Sequence, residues 1–302
     1  MPTQRSFLDD LKDQYKTGGV FIRLIFFNVA IFLLINVILV FGRLYGYELQ
    51  TANGLYEIFT LQTSLNGFVT HPWGILTSIV AHFSFRHILL NMVFLYFSGR
   101  YFEQLLGGKR LLHTYIVGGI AGGLLEIIAH LLFPGLQGSN IVIVGASGSI
   151  MAIFIAVAFY QPNLQIRLLT FPPFKIIWLA VFYMAIDFIG LATNDGTAHF
   201  AHLGGAIIGI HSVRNLRASS NLINISMALG GYFKGAFSGG KRSKLKVVKN
   251  KDVRNISDED YNENVKAKQE ETNRILDKIS KSGYDSLTKR EKDFLFNQSN
   301  NA

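Results

Sequence analysis

Residues 20–41 form one apolar run whose only formal charge is Arg23. About 20 such residues cross a bilayer, whereas the apolar core of a secretory signal is about 7–15 residues. The preceding segment mixes Arg5, Lys12 and Lys16 with Asp9, Asp10 and Asp13, so no cleavable signal is expected. Five more apolar stretches follow, at 84–105, 111–133, 145–160, 174–193 and 199–213. In hydrocarbon every backbone polar group must be paired internally, which helices achieve. The expected fold is all-α: a polytopic membrane protein built as a bundle of six transmembrane helices. The fourth stretch is short, so its first turn should start below the surface, reached by the loop 135–145.

Charge sets the domain plan. Only 16% of the 302 residues are charged and 49% are hydrophobic, against about 25% charged in soluble domains. Most of the charge lies after residue 216. This divides the chain into a cytoplasmic segment (1–19), a membrane domain (20–216), a basic juxtamembrane linker (217–256) and a small helical cytosolic tail (257–302). The net charge of +9 reads as topology, not as nucleic-acid binding, because Lys and Arg mark the cytoplasmic ends of spans. Arg5, Lys12, Lys16 and Arg23 sit before or at span 1, and Lys109 and Arg110 between spans 2 and 3. Arg167 and Lys175 lie between spans 4 and 5, and Arg214 and Arg217 follow span 6. Both termini are then cytoplasmic. There is no cysteine, which excludes a thiol nucleophile, disulfides and cysteine-based zinc sites.

Ionisable and polar groups are costly inside a bilayer and ask for a reason. With this topology His87 and Asn91 open span 2, Ser147 opens span 4 and His202 lies in the first turn of span 6, all on the outer leaflet. A serine hydroxyl needs a base to become a nucleophile. His202 can take the Ser147 proton and return it to a leaving amine. The oxyanion then formed needs preset donors. Asn91 supplies an amide, His87 lies one turn away on the same helical face, and the first N–H groups of span 4 are unsatisfied. Gly145 and Gly148 clear the approach to the backbone around Ser147.

At His87-x-x-x-Asn91, Gly99-x-x-x-Glu103-x-x-x-Gly107, Gly145-Ala146-Ser147-Gly148 and His202-x-x-Gly205-x-x-x-Gly209 the chain resembles the rhomboid family of intramembrane serine proteases, of bacterial type. The resemblance covers about residues 65–215. It implies a rhomboid-like six-helix bundle and a serine endopeptidase acting by a dyad. Ser147 would be nucleophile and His202 general base and acid. His87, Asn91, Gly145 and the Ser147 backbone would stabilise the oxyanion. Gly99, Glu103, Gly107, Gly148, Gly205 and Gly209 would serve packing, the small residues letting spans 4 and 6 approach. His82 also has a family counterpart. His199 lies three residues before His202, but only His202 has glycine at +3 and +7. The chain departs from the family at Trp73-Gly74, at Met151, and in the length of the loop before His202.

Asp187, in span 5, can orient His202 as a triad aspartate would. It is read as structural, because the family resembled works as a dyad. Glu126 and His130, at i and i+4 in span 3, are expected to satisfy each other. No metal or other cofactor is expected. The implied partners are transmembrane protein substrates and the lipid bilayer, and the implied location is a bacterial inner membrane. The main rival is a catalytically silent member that binds transmembrane clients. No His-Glu-x-x-His is present, no second intramembrane aspartate pairs with Asp187, and no repeated halves suggest a transporter.

The tail begins with a basic run at 241–254, suited to anionic lipid heads. Residues 222–229 are apolar enough to lie on the membrane surface, but the glycines at 230–231 argue against it. Ser257 should start a helix ending at Gly283, and Thr288-x-x-Glu291 reads as the capping box of a second. Ile275, Leu276, Ile279, Leu287, Phe294 and Leu295 would join the two as a hairpin.

Overall fold

Each of the six apolar stretches is a helix, with ends within three residues of those expected. A computed structural model describes residues 6–136, 142–167, 172–193, 196–237 and 258–299. Along the chain come α1 (Phe7–Thr17), α2 (Val20–Leu44), α3 (Glu48–Phe59), β1 (Leu61–Gln62), α4 (Leu65–Thr70), α5 (Gly74–Thr77), α6 (Phe85–Leu106) and α7 (Gly108–Leu132). Then follow β2 (Val142–Ile143), α8 (Ser147–Tyr160), β3 (Gln165–Ile166), β4 (Phe174–Lys175), α9 (Ile176–Gly190), α10 (His199–Val213), α11 (Leu222–Phe237), α12 (Asp258–Ser282) and α13 (Lys289–Ser299). Arg5, the basic run 241–254 and Ser257 lie outside the described residues. The chain divides into two compact units, Met1–Ser238 and Gly239–Ala302.

The first unit is a polytopic helical membrane bundle. By length and hydropathy α2 and α7 can each cross a bilayer, and α5 with α6 forms an apolar pair bent by 83°. α8 and α9 are apolar but shorter. The reason for α8 is its position. A helix apolar all round belongs in a core, and every residue of α8 from Gly148 to Ala158 is buried. It packs against α6, α7, α9 and α10. Its Ile150, Ile153 and Phe154 share one core with Leu95 and Phe102 of α6 and Tyr115 of α7, each shielded from solvent.

Two polar devices inside the bundle fix the outer helices. Glu103 on α6 accepts the N–H groups of Val20 (2.9 Å) and Phe21 (3.1 Å), closing the start of α2. That helix has no side-chain cap of its own, and a carboxylate suits a helix N-terminus. A Cβ at Gly99 would strike Phe21, and Gly107, at φ +82°, ends α6 and leads into α7. The Gly-Glu-Gly pattern is thus the seat of α2. Asn28 donates to the Tyr115 hydroxyl (3.2 Å), which donates to the Ile79 carbonyl (2.7 Å), tying α2 and α7 to the 3-10 turn Ser78–Val80.

The connection between α2 and α6 is more structured than expected. It carries α3, α4, α5 and β1, and β1 pairs antiparallel with β2, Leu61 opposite Ile143. The pairing ties this connection to the segment entering α8. Trp73 Nε1 donates to the Glu57 carbonyl (3.1 Å) and Thr77 Oγ1 to that of Ile58 (2.6 Å), so Trp73-Gly74 is anchored within the connection itself. α11 adds a helix after the last apolar stretch. It runs through Gly230 and Gly231, held to α7 by Arg110 on Asn224 (3.0 Å) and by Ser226 on His113 (2.8 Å). Tertiary contacts override the weak helix propensity of glycine.

In the second unit Gly283, at φ +76°, terminates α12. Thr288 donates its N–H to Glu291 (2.8 Å), and Glu291 returns its N–H to Thr288 Oγ1 (3.4 Å), a reciprocal capping box. Lys278 donates to Glu291 across the turn (2.9 Å), and Ile275 and Leu287 are buried.

Candidate functional site

Ser147 is the first residue of α8. The bend before it is held from two sides: Gly145 N–H donates to the Ser78 carbonyl (2.9 Å), and Ala146 N–H to His82 Nε2 (3.4 Å). Gly145 has φ +117°, and a Cβ there would collide with the His87 ring. Glycine is therefore required twice over, by backbone conformation and by the ring packed on it. The Gly145 N–H is given to the Ser78 carbonyl, and the residue leaves space beside the His87 ring. The donors left at this spot are the first-turn N–H groups of α8, which have no partner within the helix.

His87 and Asn91 are both on α6, as their spacing requires. Asn91 is buried and donates one amide hydrogen to the His87 carbonyl (2.9 Å), leaving its second hydrogen for another acceptor. His82 packs edge-on to His87 with ring centroids 5.1 Å apart.

α10 is brought against α8 by glycine. A Cβ at Gly205 would run into the Gly148 carbonyl, and one at Gly209 into that of Ala152. Gly148 in turn faces the Ala201 carbonyl. Ser147 and His202 thus flank a backbone-to-backbone contact between the two helices. α6 and α10 both pack against α8, so the three helices converge. Among the described residues no hydrogen bond joins Ser147 to His202.

The sequence reading sets Asp187 aside, but Asp187 lies directly on His202. His202 Nδ1 is 2.8 Å from Asp187 Oδ1 and 3.0 Å from Oδ2, and His199 Nδ1 is 2.8 Å from the same Oδ1. All three side chains are buried. With Nδ1 turned to a carboxylate, Nε2 is the His202 nitrogen left for Ser147. The expected Glu126–His130 pair is present, His130 Nδ1 lying 3.0 Å from the Glu126 carbonyl oxygen, and Glu126 has a further partner. Glu126 Oε2 accepts the Ala201 N–H at 2.9 Å, while His130 is 3.6 Å from Oε1.

Tyr183 was not foreseen. It sits edge-on to His202 with centroids 6.3 Å apart, stacks on Phe94 at 5.6 Å and lies one turn before Asp187 on α9. Its i−4 spacing from Asp187 was the available signal. Met151 is buried in the core.

Asp187, His199 and His202 are also the group among the described residues whose donor atoms, all within 4.8 Å of one another, could hold a metal ion. The N···O distances are those of charge-assisted hydrogen bonds. A zinc ion there would occupy Nδ1 of His202 in place of those bonds.

Residues 69–217 match the model of the rhomboid domain, and residues 256–301 match a family of unknown function, DUF6576. The chain is similar to RHOMBOID-like protein 12, mitochondrial, of Arabidopsis thaliana, 28% identical over 51% of this chain and 52% of that one. It is 30% identical to Rhomboid protein 1, mitochondrial, of Saccharomyces cerevisiae, over 47% and 41% of the two chains. It is 26% identical to Presenilin-associated rhomboid-like protein, mitochondrial, of Homo sapiens, over 52% and 43%. The chain spans about half or less of the length of these curated relatives. Their names place them in mitochondria and lend no support to the bacterial membrane expected from sequence. Through residues 69–217, with the glycine-seated helices and polar cluster described above, the chain belongs to the rhomboid family.

Proposed function

We propose that the chain is an intramembrane serine endopeptidase that hydrolyses peptide bonds in or near transmembrane segments of other membrane proteins. The observation that carries this reading is the placing of Ser147 at the start of α8 against α10, where His202 has Nδ1 engaged and Nε2 left over. Ser147 Oγ attacks the scissile carbonyl carbon while His202 Nε2 takes its proton. The oxyanion is met by the α8 first-turn amides, Asn91 and His87. His202 then protonates the leaving amine, and water releases the acyl group by the same proton route. A transmembrane helix hides its peptide bonds, so substrates would unwind locally at the cut. Lys and Arg placement supports six crossings with both ends on one face and Ser147 towards the other.

A catalytically silent client-binding protein is the alternative, but retention of both Ser147 and His202 favours the enzyme. Purified protein in detergent or bilayers is offered a single-span membrane substrate and, separately, a fluorophosphonate probe. Wild type should cleave and label, and Ser147→Ala should do neither. Cleavage that persists in Ser147→Ala overturns the reading.

A further inference from the structure

We propose that Asp187 is a positioning residue for the proposed hydrolysis, holding His202 in the tautomer and orientation that let it act as base. The inference rests on the protease reading above and extends it from two residues to three.

The geometry is specific. A carboxylate oxygen can only accept, so a ring nitrogen at 2.8 Å from it must carry the hydrogen. His202 faces both oxygens of Asp187, at 2.8 and 3.0 Å, and His199 faces Oδ1 at 2.8 Å. Both rings are thereby set as Nδ1–H. For His202 this leaves Nε2 unprotonated, which general-base action on Ser147 requires. When Nε2 takes the serine proton, the positive charge forms next to a carboxylate already in place, which lowers the cost of that step.

Asp187 is 3% exposed and would be costly as a buried charge without partners. Two N–H donors from one face of α10, three residues apart, satisfy it. The sequence makes room for this: a Cβ at Gly190, one turn beyond Asp187 on α9, would collide with the His199 ring. His199 holds the same carboxylate oxygen that His202 faces.

The test uses the full chain, with Asp187→Asn as a near-isosteric change. An asparagine can donate to Nδ1 and so favour the wrong tautomer. Three readouts are taken: kcat and KM on a membrane substrate, thermal stability, and imidazole-nitrogen NMR of protein with isotope-labelled histidine. Asp187→Asn should lower kcat by about 10²- to 10⁴-fold with little change in KM, while His202 moves from Nδ1–H to Nε2–H. A kcat within about threefold of wild type overturns the proposal, as does a wild-type His202 found as Nε2–H. If Asp187→Asn does not fold, the wild-type tautomer decides alone. A wild type that neither cleaves nor labels overturns the protease reading itself. A wild type that cleaves beside an equally fast Asp187→Asn overturns only the positioning role.

Discussion

Glu126, on α7, accepts the backbone N–H of Ala201 at 2.9 Å, one residue before His202. α10 has no side-chain cap of its own at Ala198, and apart from Glu126 the Ala201 N–H has the i−3 carbonyl of Ala198 at 3.0 Å; a hydrogen bond to a charged acceptor is stronger than one to a neutral carbonyl. A neighbouring helix supplies what the local sequence lacks, and a carboxylate also suits the positive end of the α10 dipole. Glu126→Ala should therefore destabilise the protein by about 1–3 kcal/mol and reduce fluorophosphonate labelling of Ser147. Glu126→Gln, which keeps an acceptor, should cost less. Denaturation in detergent checks the order, and an alanine variant as stable as wild type would contradict it.

The α8–α10 contact makes a sharper demand. Gly205→Ala places a methyl group against the Gly148 carbonyl, and overpacking of this kind costs about 1–3 kcal/mol. The helices should separate and the labelling rate of Ser147 fall. Gly231→Ala is the control, because nothing lies within 4 Å of that position in α11. There the added methyl should be neutral or stabilising by about 0.5–1 kcal/mol. Equal behaviour of the two variants would argue against a steric role for Gly205.

Removing one oxyanion donor should lower kcat by about 10²- to 10³-fold and leave KM nearly unchanged. This is expected of Asn91→Ala, whose second amide hydrogen is uncommitted. His87→Ala should also loosen the approach to Ser147, because the ring packs on Gly145. Steady-state kinetics on a membrane substrate separates the two parameters.

The tail hairpin should be acid-sensitive. The Thr288 N–H first, then the Lys278 ammonium and the Thr288 hydroxyl, hold the Glu291 carboxyl down at about 2. A carboxyl depressed by folding contributes stability that is present above its unfolded value and lost as pH falls through its folded value. Amide-exchange protection over 258–299 in the full chain should thus weaken between about pH 4.5 and pH 2. Glu291→Gln should flatten that dependence, and an unchanged profile would rule the box out as its source.

Much of this molecule is written in local pattern. The six apolar runs are helices because length and hydrophobicity leave few alternatives, and Gly283 and Thr288/Glu291 act over three residues, a distance sequence can read. The helices between α2 and α6 were missed because their short segments mix apolar and polar residues without a clear period. β1 gains its strand partner only from β2, far along the chain. The packing of α11 was not legible, since the α7 side chains that hold it are more than 100 residues away.

The site divides the same way. Residue spelling suffices to nominate Ser147, His202, His87 and Asn91, because each motif spacing is local to one segment. Helix crossing and depth decide the rest: that Gly205 meets Gly148, that Glu126 serves Ala201 more closely than His130, and that Asp187 meets both His199 and His202. Such contacts join different helices, whose rotation about their axes is set by packing of whole faces. No spacing within one segment encodes them.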